Sequence, residues 1–96
     1  MRRAASSEWA AYYDGVCTAS RAVRALERAR VASSVCAEVV YRLHRLEGPQ
    51  TATRLRELEA AWEAWDAATA VVIDAEAAAA AVVAAMPPRP TARVAS

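Results

Sequence analysis

Residues 61–86 read AWEAWDAATAVVIDAEAAAAAVVAAM, two tryptophans leading into an Ala/Val run that carries Asp74 and Glu76. The period of this stretch decides the fold. Leu55, Leu58, Trp62, Trp65, Thr69, Val72, Glu76, Ala79, Val83 and Met86 step alternately by three and four residues, the spacing of an apolar stripe along a helix. Glu76 is the misfit. An ideal helix drifts off a 3.5-residue repeat, so the stripe can pass through Ala75 and Val82 and leave Glu76 at its edge.

Upstream, Trp9, Tyr12, Val16, Ala19, Val23, Leu26, Ala29, Ala32, Cys36, Val39, Leu43 and Leu46 repeat the pattern, with a local stutter near Leu26–Ala32. Gly48-Pro49 separates the two patterns, since Gly suits the position past a helix end and Pro cannot continue the helix. Pro87-Pro88 stops the second pattern and opens a tail too poor in apolar residues to fold alone. Ser6 or Ser7 can cap the first helix; Thr51, or Gly48 with Pro49 in the first turn, can start the second. Asp14-Gly15 marks a candidate break, and a continuous helix is the preferred reading there. The expected fold is all-α: a long antiparallel two-helix hairpin, coiled-coil-like, with a tail at 1–5, a helix at 6–47, a turn at 48–50, a helix at 51–86 and a Pro/Arg-containing tail at 87–96. Its length would be about 55–60 Å.

Folding about Gly48-Pro49 sets Trp65 against Ala29 and Ala32, Trp62 against Val35 and Cys36, Leu58 against Val39, and Val72 against Leu26. The Ala-rich end, Ala77 to Met86, then lies along Trp9, Tyr12 and Tyr13, with Trp9 near Met86 and Pro87. Large residues meet small ones throughout, as interdigitated packing requires. Residues 21–45 carry six Arg against Glu27 and Glu38, while residues 50–86 carry six acids against Arg54 and Arg56. On this pairing Asp74 and Glu76 fall opposite Arg21 and Arg24, where exposed pairs mainly fix register.

A hairpin alone leaves apolar flanks bare. Val31 and Val35 sit off the first stripe, and Ala70, Ile73, Ala77 and Ala84 off the second, so these six residues form the candidate partner face. Its occupant would be another protein or a second copy completing a four-helix bundle. A membrane span is disfavoured. The five Val and Ile residues at 71–73, 82 and 83 would each gain about 0.3–0.6 kcal/mol on insertion, whereas Asp74 near the centre would cost about 2.5–3.5 kcal/mol, and Glu76 adds to that.

The 96 residues allow one small domain, and 12 Arg against 11 acids leave a formal net charge of +1, which argues against a strongly basic nucleic-acid binder. Lys, Asn and Phe are absent, Ile occurs once and Ala 27 times. That bias towards GC-rich codons suggests a genome such as that of an actinobacterium or its phage. Cys17 and Cys36, on one helix and about 28 Å apart, cannot bridge within the chain. The opening residues lack the apolar run of a signal peptide, and a cytoplasmic location, or one within a virion or other large particle, is expected.

Catalysis finds little support, and neither a cofactor, a metal nor a small-molecule substrate is expected. The single histidine, His44, stands between arginines near a helix end, where a cation suits the dipole. Ser33, Ser34 and Cys36 have no convergent base, and no Glu-x-x-His pair or phosphate-binding Gly loop occurs. Nucleic acid is the second partner class to weigh: Arg42, Arg45, Arg54 and Arg56 cluster at the turn and could contact phosphates, as in a small DNA-packaging subunit, though Glu47, Glu57 and Glu59 balance them.

The length, the central turn and the Trp-bearing second helix are similar to the secreted helical-hairpin proteins of the type VII pathway. That family carries Trp-Xaa-Gly at the turn, where this chain has Arg45-Leu46-Glu47-Gly48-Pro49. Its Tyr-containing export signal has no counterpart in residues 86–96, so the likeness covers architecture alone. The sequence therefore points to a non-catalytic protein–protein interaction subunit: a small adaptor, scaffold or structural component. A DNA-binding helical subunit and a secreted hairpin are the alternatives.

Overall fold

The structure, a computed structural model, describes residues 2–91, with side chains from Ser6 onward. Two helices, α1 (Arg2–Arg45) and α2 (Ala52–Ala84), pack against each other as an antiparallel hairpin. The rod measures 79 × 17 × 14 Å. It is longer than expected because α1 alone, at 44 residues, spans about 66 Å and the turn projects beyond its end. Of the expected tails, residues 1 and 92–96 lie outside the described residues. The Asp14-Gly15 pair does not interrupt α1, and Thr18 Oγ1 donates to Asp14 O at 2.9 Å there.

Both inner helix ends have a local cause. Thr51 caps α2 with extended backbone, and its hydroxyl accepts from Arg54 N at 3.1 Å. α1 stops at Arg45, two residues before the expected end, and Gly48 takes the positive φ of 107° that the turn requires. Arg54 reaches back over this turn. Its guanidinium donates to Leu46 O (2.6 Å), Pro49 O (3.0 Å) and Glu47 O (3.2 Å), satisfying three carbonyls of the turn. At its far end α2 closes through Ala85 N to Ala81 O (3.0 Å) and Met86 N to Val83 O (3.2 Å), because Pro87 disfavours helical backbone at the residue before it.

The seam between the helices keeps a strict three–four spacing with no stutter. In α1 it runs through Ala19, Ala22, Leu26, Ala29, Ser33, Cys36, Val40 and Leu43; in α2 through Arg54, Leu58, Ala61, Trp65, Ala68, Val72, Ala75, Ala79, Val82 and Met86, all buried or half-buried. Expected seam residues Val23, Ala32 and Val39 are instead exposed, as are Leu46, Leu55, Trp62, Thr69 and Val83. Each stands one residue away from a seam position, apart from Leu46, which lies beyond the helix end. In α1 the difference turns on Ser33: admitting this small polar residue to the seam keeps the helix in phase, whereas holding Ala32 there demands the stutter. In α2 the stripe passes through Ala75 and Val82 and leaves Glu76 at its edge. Trp9, Tyr12, Val16, Leu26, Ala29, Cys36, Leu43, Leu58, Trp65, Val72, Ala79 and Met86 are at least partly covered.

The register also differs from the expected one. Glu76 pairs with Arg30 at 3.5 Å rather than with Arg21 or Arg24. Met86 and Pro87 meet Gly15, where an added Cβ would stand 3.1 Å from Met86 Cγ and 2.9 Å from Pro87 Cδ. Sliding α2 this way leaves the start of α1 overhanging, and the segment after α2 runs back along it. Trp9 consequently shares a groove with Arg89, Pro90 and Thr91 instead of lying on Met86, while Glu8 and Ala11 line another with Pro87, Pro88 and Pro90. The backbone of Gly15 is what allows the chain to come so close.

Candidate interaction surfaces

The hairpin has almost no interior. Among the described residues only Ala29, Val40, Ala61 and Ala79 are buried, and no large side chain is fully enclosed. Exposed apolar side chains occur all along the rod: Val31 is 64% exposed, Val35 57%, Val71 56% and Ile73 60%. A protein interior normally encloses such groups, each gaining about 1.5–3 kcal/mol on full burial.

Two contacts identify the sides of the rod. Arg30 pairs with Glu76, and the rings of His44 and Trp62 meet edge-on with centroids 6.1 Å apart. All four residues directly follow a seam position (Ala29, Leu43, Ala61 and Ala75), so they share one side. Trp62 also stacks on Trp65 at 5.1 Å and 28°. The opposite side carries the residues that directly precede a seam position. Its middle is apolar and exposed, with Ala25, Ala32 and Val39 on α1 and Ala64, Val71 and Ala78 on α2, while Arg21, Arg28, Arg42 and Asp74 stand along its edges and Glu57 at its turn end. Val35 and Leu46 extend this side on α1, Ala67 and Ala81 on α2.

The six residues of the expected partner face are exposed, but the structure does not gather them onto one surface. Val35 lies on the side of Val39 and Val71, and Val31, two residues from the seam in either direction, lies on the back of α1. Ile73, three residues before Glu76, belongs to the side of Trp62, and Ala70, Ala77 and Ala84 lie on the back of α2. The side of Val39 and Val71 was missed because Val39 was assigned to the seam. The repeated spacing of Ala64, Val71, Ala78 and Ala85, seven residues apart, is the sequence signal that marks it.

The arginines of the turn do different jobs. Arg54 is committed to backbone carbonyls and half-buried, so it is not a free phosphate contact. Arg42 pairs with Glu38 on its own helix at 3.6 Å. Arg45 and Arg56 are exposed. At the other end Trp9, Tyr12 and Tyr13 form a ring cluster with centroids 5.6–5.9 Å apart. Cys17 and Cys36 are free thiols, the first exposed and the second half-buried. Among the described residues no group of three or more His, Cys, Asp and Glu side chains comes together to hold a metal.

α2 is long and apolar enough to cross a membrane by length and composition, with mean hydropathy 1.8 over an 18-residue window of which 6% is buried in the hairpin. Comparison with protein-family models, with curated proteins and with solved structures finds no match.

Proposed function

We propose that this chain is a non-catalytic association subunit: a small adaptor, scaffold or structural component of a larger bacterial complex or phage particle. The observation that carries this reading is the apolar surface left bare on a hairpin with almost no core, Val35, Val39 and Val71 above all. A second layer of protein would give those side chains the interior that the hairpin lacks. The chain would act by occupying a place in an assembly, without a cofactor or small-molecule substrate, in the cytoplasm or within a particle.

The bare surface of α2 also favours a second reading, docking in a lipid bilayer. Asp74 and Glu76 oppose it, at about 2.5–3.5 kcal/mol for a carboxylate near the bilayer centre. Nucleic-acid binding has less support, since Arg54 is used within the turn and Arg42 is paired with Glu38.

The test is to size native lysate containing the tagged chain at its natural abundance. Association predicts elution with a large complex, released by Val71→Arg. Elution of the wild type at the size of a monomer or dimer would sink the proposal, and recovery in the membrane fraction would replace it with the second reading.

A further inference from the structure

We infer that the side of the hairpin carrying Val35, Val39 and Val71 is covered by a second copy of this chain, with α1 of each copy lying on α2 of the other and both turns at the same end. This rests on the association reading and makes a pair of chains the unit that enters the larger assembly. Three observations meet on this face. The first is size complementarity. A two-fold axis along the rod preserves axial level, so the levels set by Gly15 with Met86 and by Arg30 with Glu76 carry over between copies. At those levels Val35 of one copy stands over Ala67 of the other, Val39 over Ala64, and Ala32 over Val71. Each valine meets an alanine, the large-on-small matching of a close-packed layer.

The second is charge. The edge of this face carries Arg21, Arg28 and Arg42 on α1, the last paired with Glu38 of its own helix, and Asp74 on α2, with Glu57 at the turn end. In the proposed arrangement Arg28 reaches the level of Asp74 of the second copy. Laying α1 on α1 instead would bring arginine edges together and leave both Asp74 carboxylates apart from them. Opposite-charge matching selects the orientation.

The third is area. About 50 Å of paired helix across a rod 17 Å wide gives each copy a face of about 800 Å², the share of one partner in a stable interface.

Sedimentation velocity over a wide dilution series reads the association. A two-fold dimer is expected, weakened at least about tenfold in Kd by Val71→Arg but not by Ile73→Arg on the opposite side. Arg28→Asp should weaken it similarly, and adding Asp74→Arg should restore it; both positions are exposed, so folding is not at stake. In a Cys17→Ser, Cys36→Ser background, mixing separately prepared Val39→Cys and Ala64→Cys chains should give a disulfide between copies. A wild-type monomer at all concentrations overturns the inference, as does a dimer indifferent to Val71→Arg, or one in which Val39→Cys crosslinks to itself and not to Ala64→Cys. A monomer that binds phosphatidylcholine/phosphatidylglycerol vesicles overturns it in favour of lipid. A purified monomer that still elutes with a large complex from lysate refutes the second copy and leaves the association reading standing. A clean dimer that stays a dimer in lysate does the reverse.

Discussion

Pro87 Cδ lies 2.9 Å from the point where a side chain on Gly15 would begin, so the end of α2 is seated directly on the backbone of α1. Gly15→Ala therefore sets two effects against each other. Alanine favours the helix by up to about 1 kcal/mol, while the overlap costs about 1–3 kcal/mol. The net expectation is a loss of roughly 1 kcal/mol in urea unfolding, with faster amide exchange at Val83–Met86. A more stable Gly15→Ala chain would mean that this contact is not made in solution.

Arg54 holds three carbonyls of the turn from the first turn of α2. Arg54→Met keeps the aliphatic stem and removes the donors, and should cost about 1–2 kcal/mol. Arg54→Lys should fall between, because an ammonium cannot span the carbonyls as a planar fork does. Chemical denaturation of the three chains ranks them.

Ala79 is 8% exposed on the seam, whereas Ala77 two residues earlier is exposed on the back of α2. Ala79→Leu should destabilise by about 1–3 kcal/mol through overpacking. Ala77→Leu should stay within about 0.5 kcal/mol. Equal effects at the two sites would contradict the phase of the seam.

The Arg30–Glu76 pair spans 3.5 Å with side chains 59% and 52% exposed. Glu76→Ala should change stability by no more than about 0.5–1 kcal/mol, with little dependence on added salt above physiological ionic strength. Its structural value is to report register, which a double-mutant cycle with Arg30→Ala can read.

The two helices, the turn at Gly48-Pro49 and the stop at Pro87 were legible in the sequence because Gly and Pro act locally. The seam residues were legible only to within one position. In α2 the run Ala77–Ala81 looks the same in every helical phase, so it says nothing about which alanine faces inward. Ala61, not Trp62, takes the buried place beside Trp65, and no rule of hydrophobicity selects the smaller residue. Register was harder still. It depends on how closely Pro87 can approach Gly15 and on the guanidinium of Arg54 folding back over the turn, both contacts between elements.

Because Arg54 fastens the turn from the far side, the two helices are tied where the chain between them is shortest. Closing that short loop costs little entropy, and each later pair along the seam lies next to one already made. The hairpin should thus zip from Leu46 and Arg54 outward. Fraying belongs to the aromatic end, where Trp9 stacks on Tyr13 and shares a groove with Arg89, Pro90 and Thr91 rather than with a facing helix.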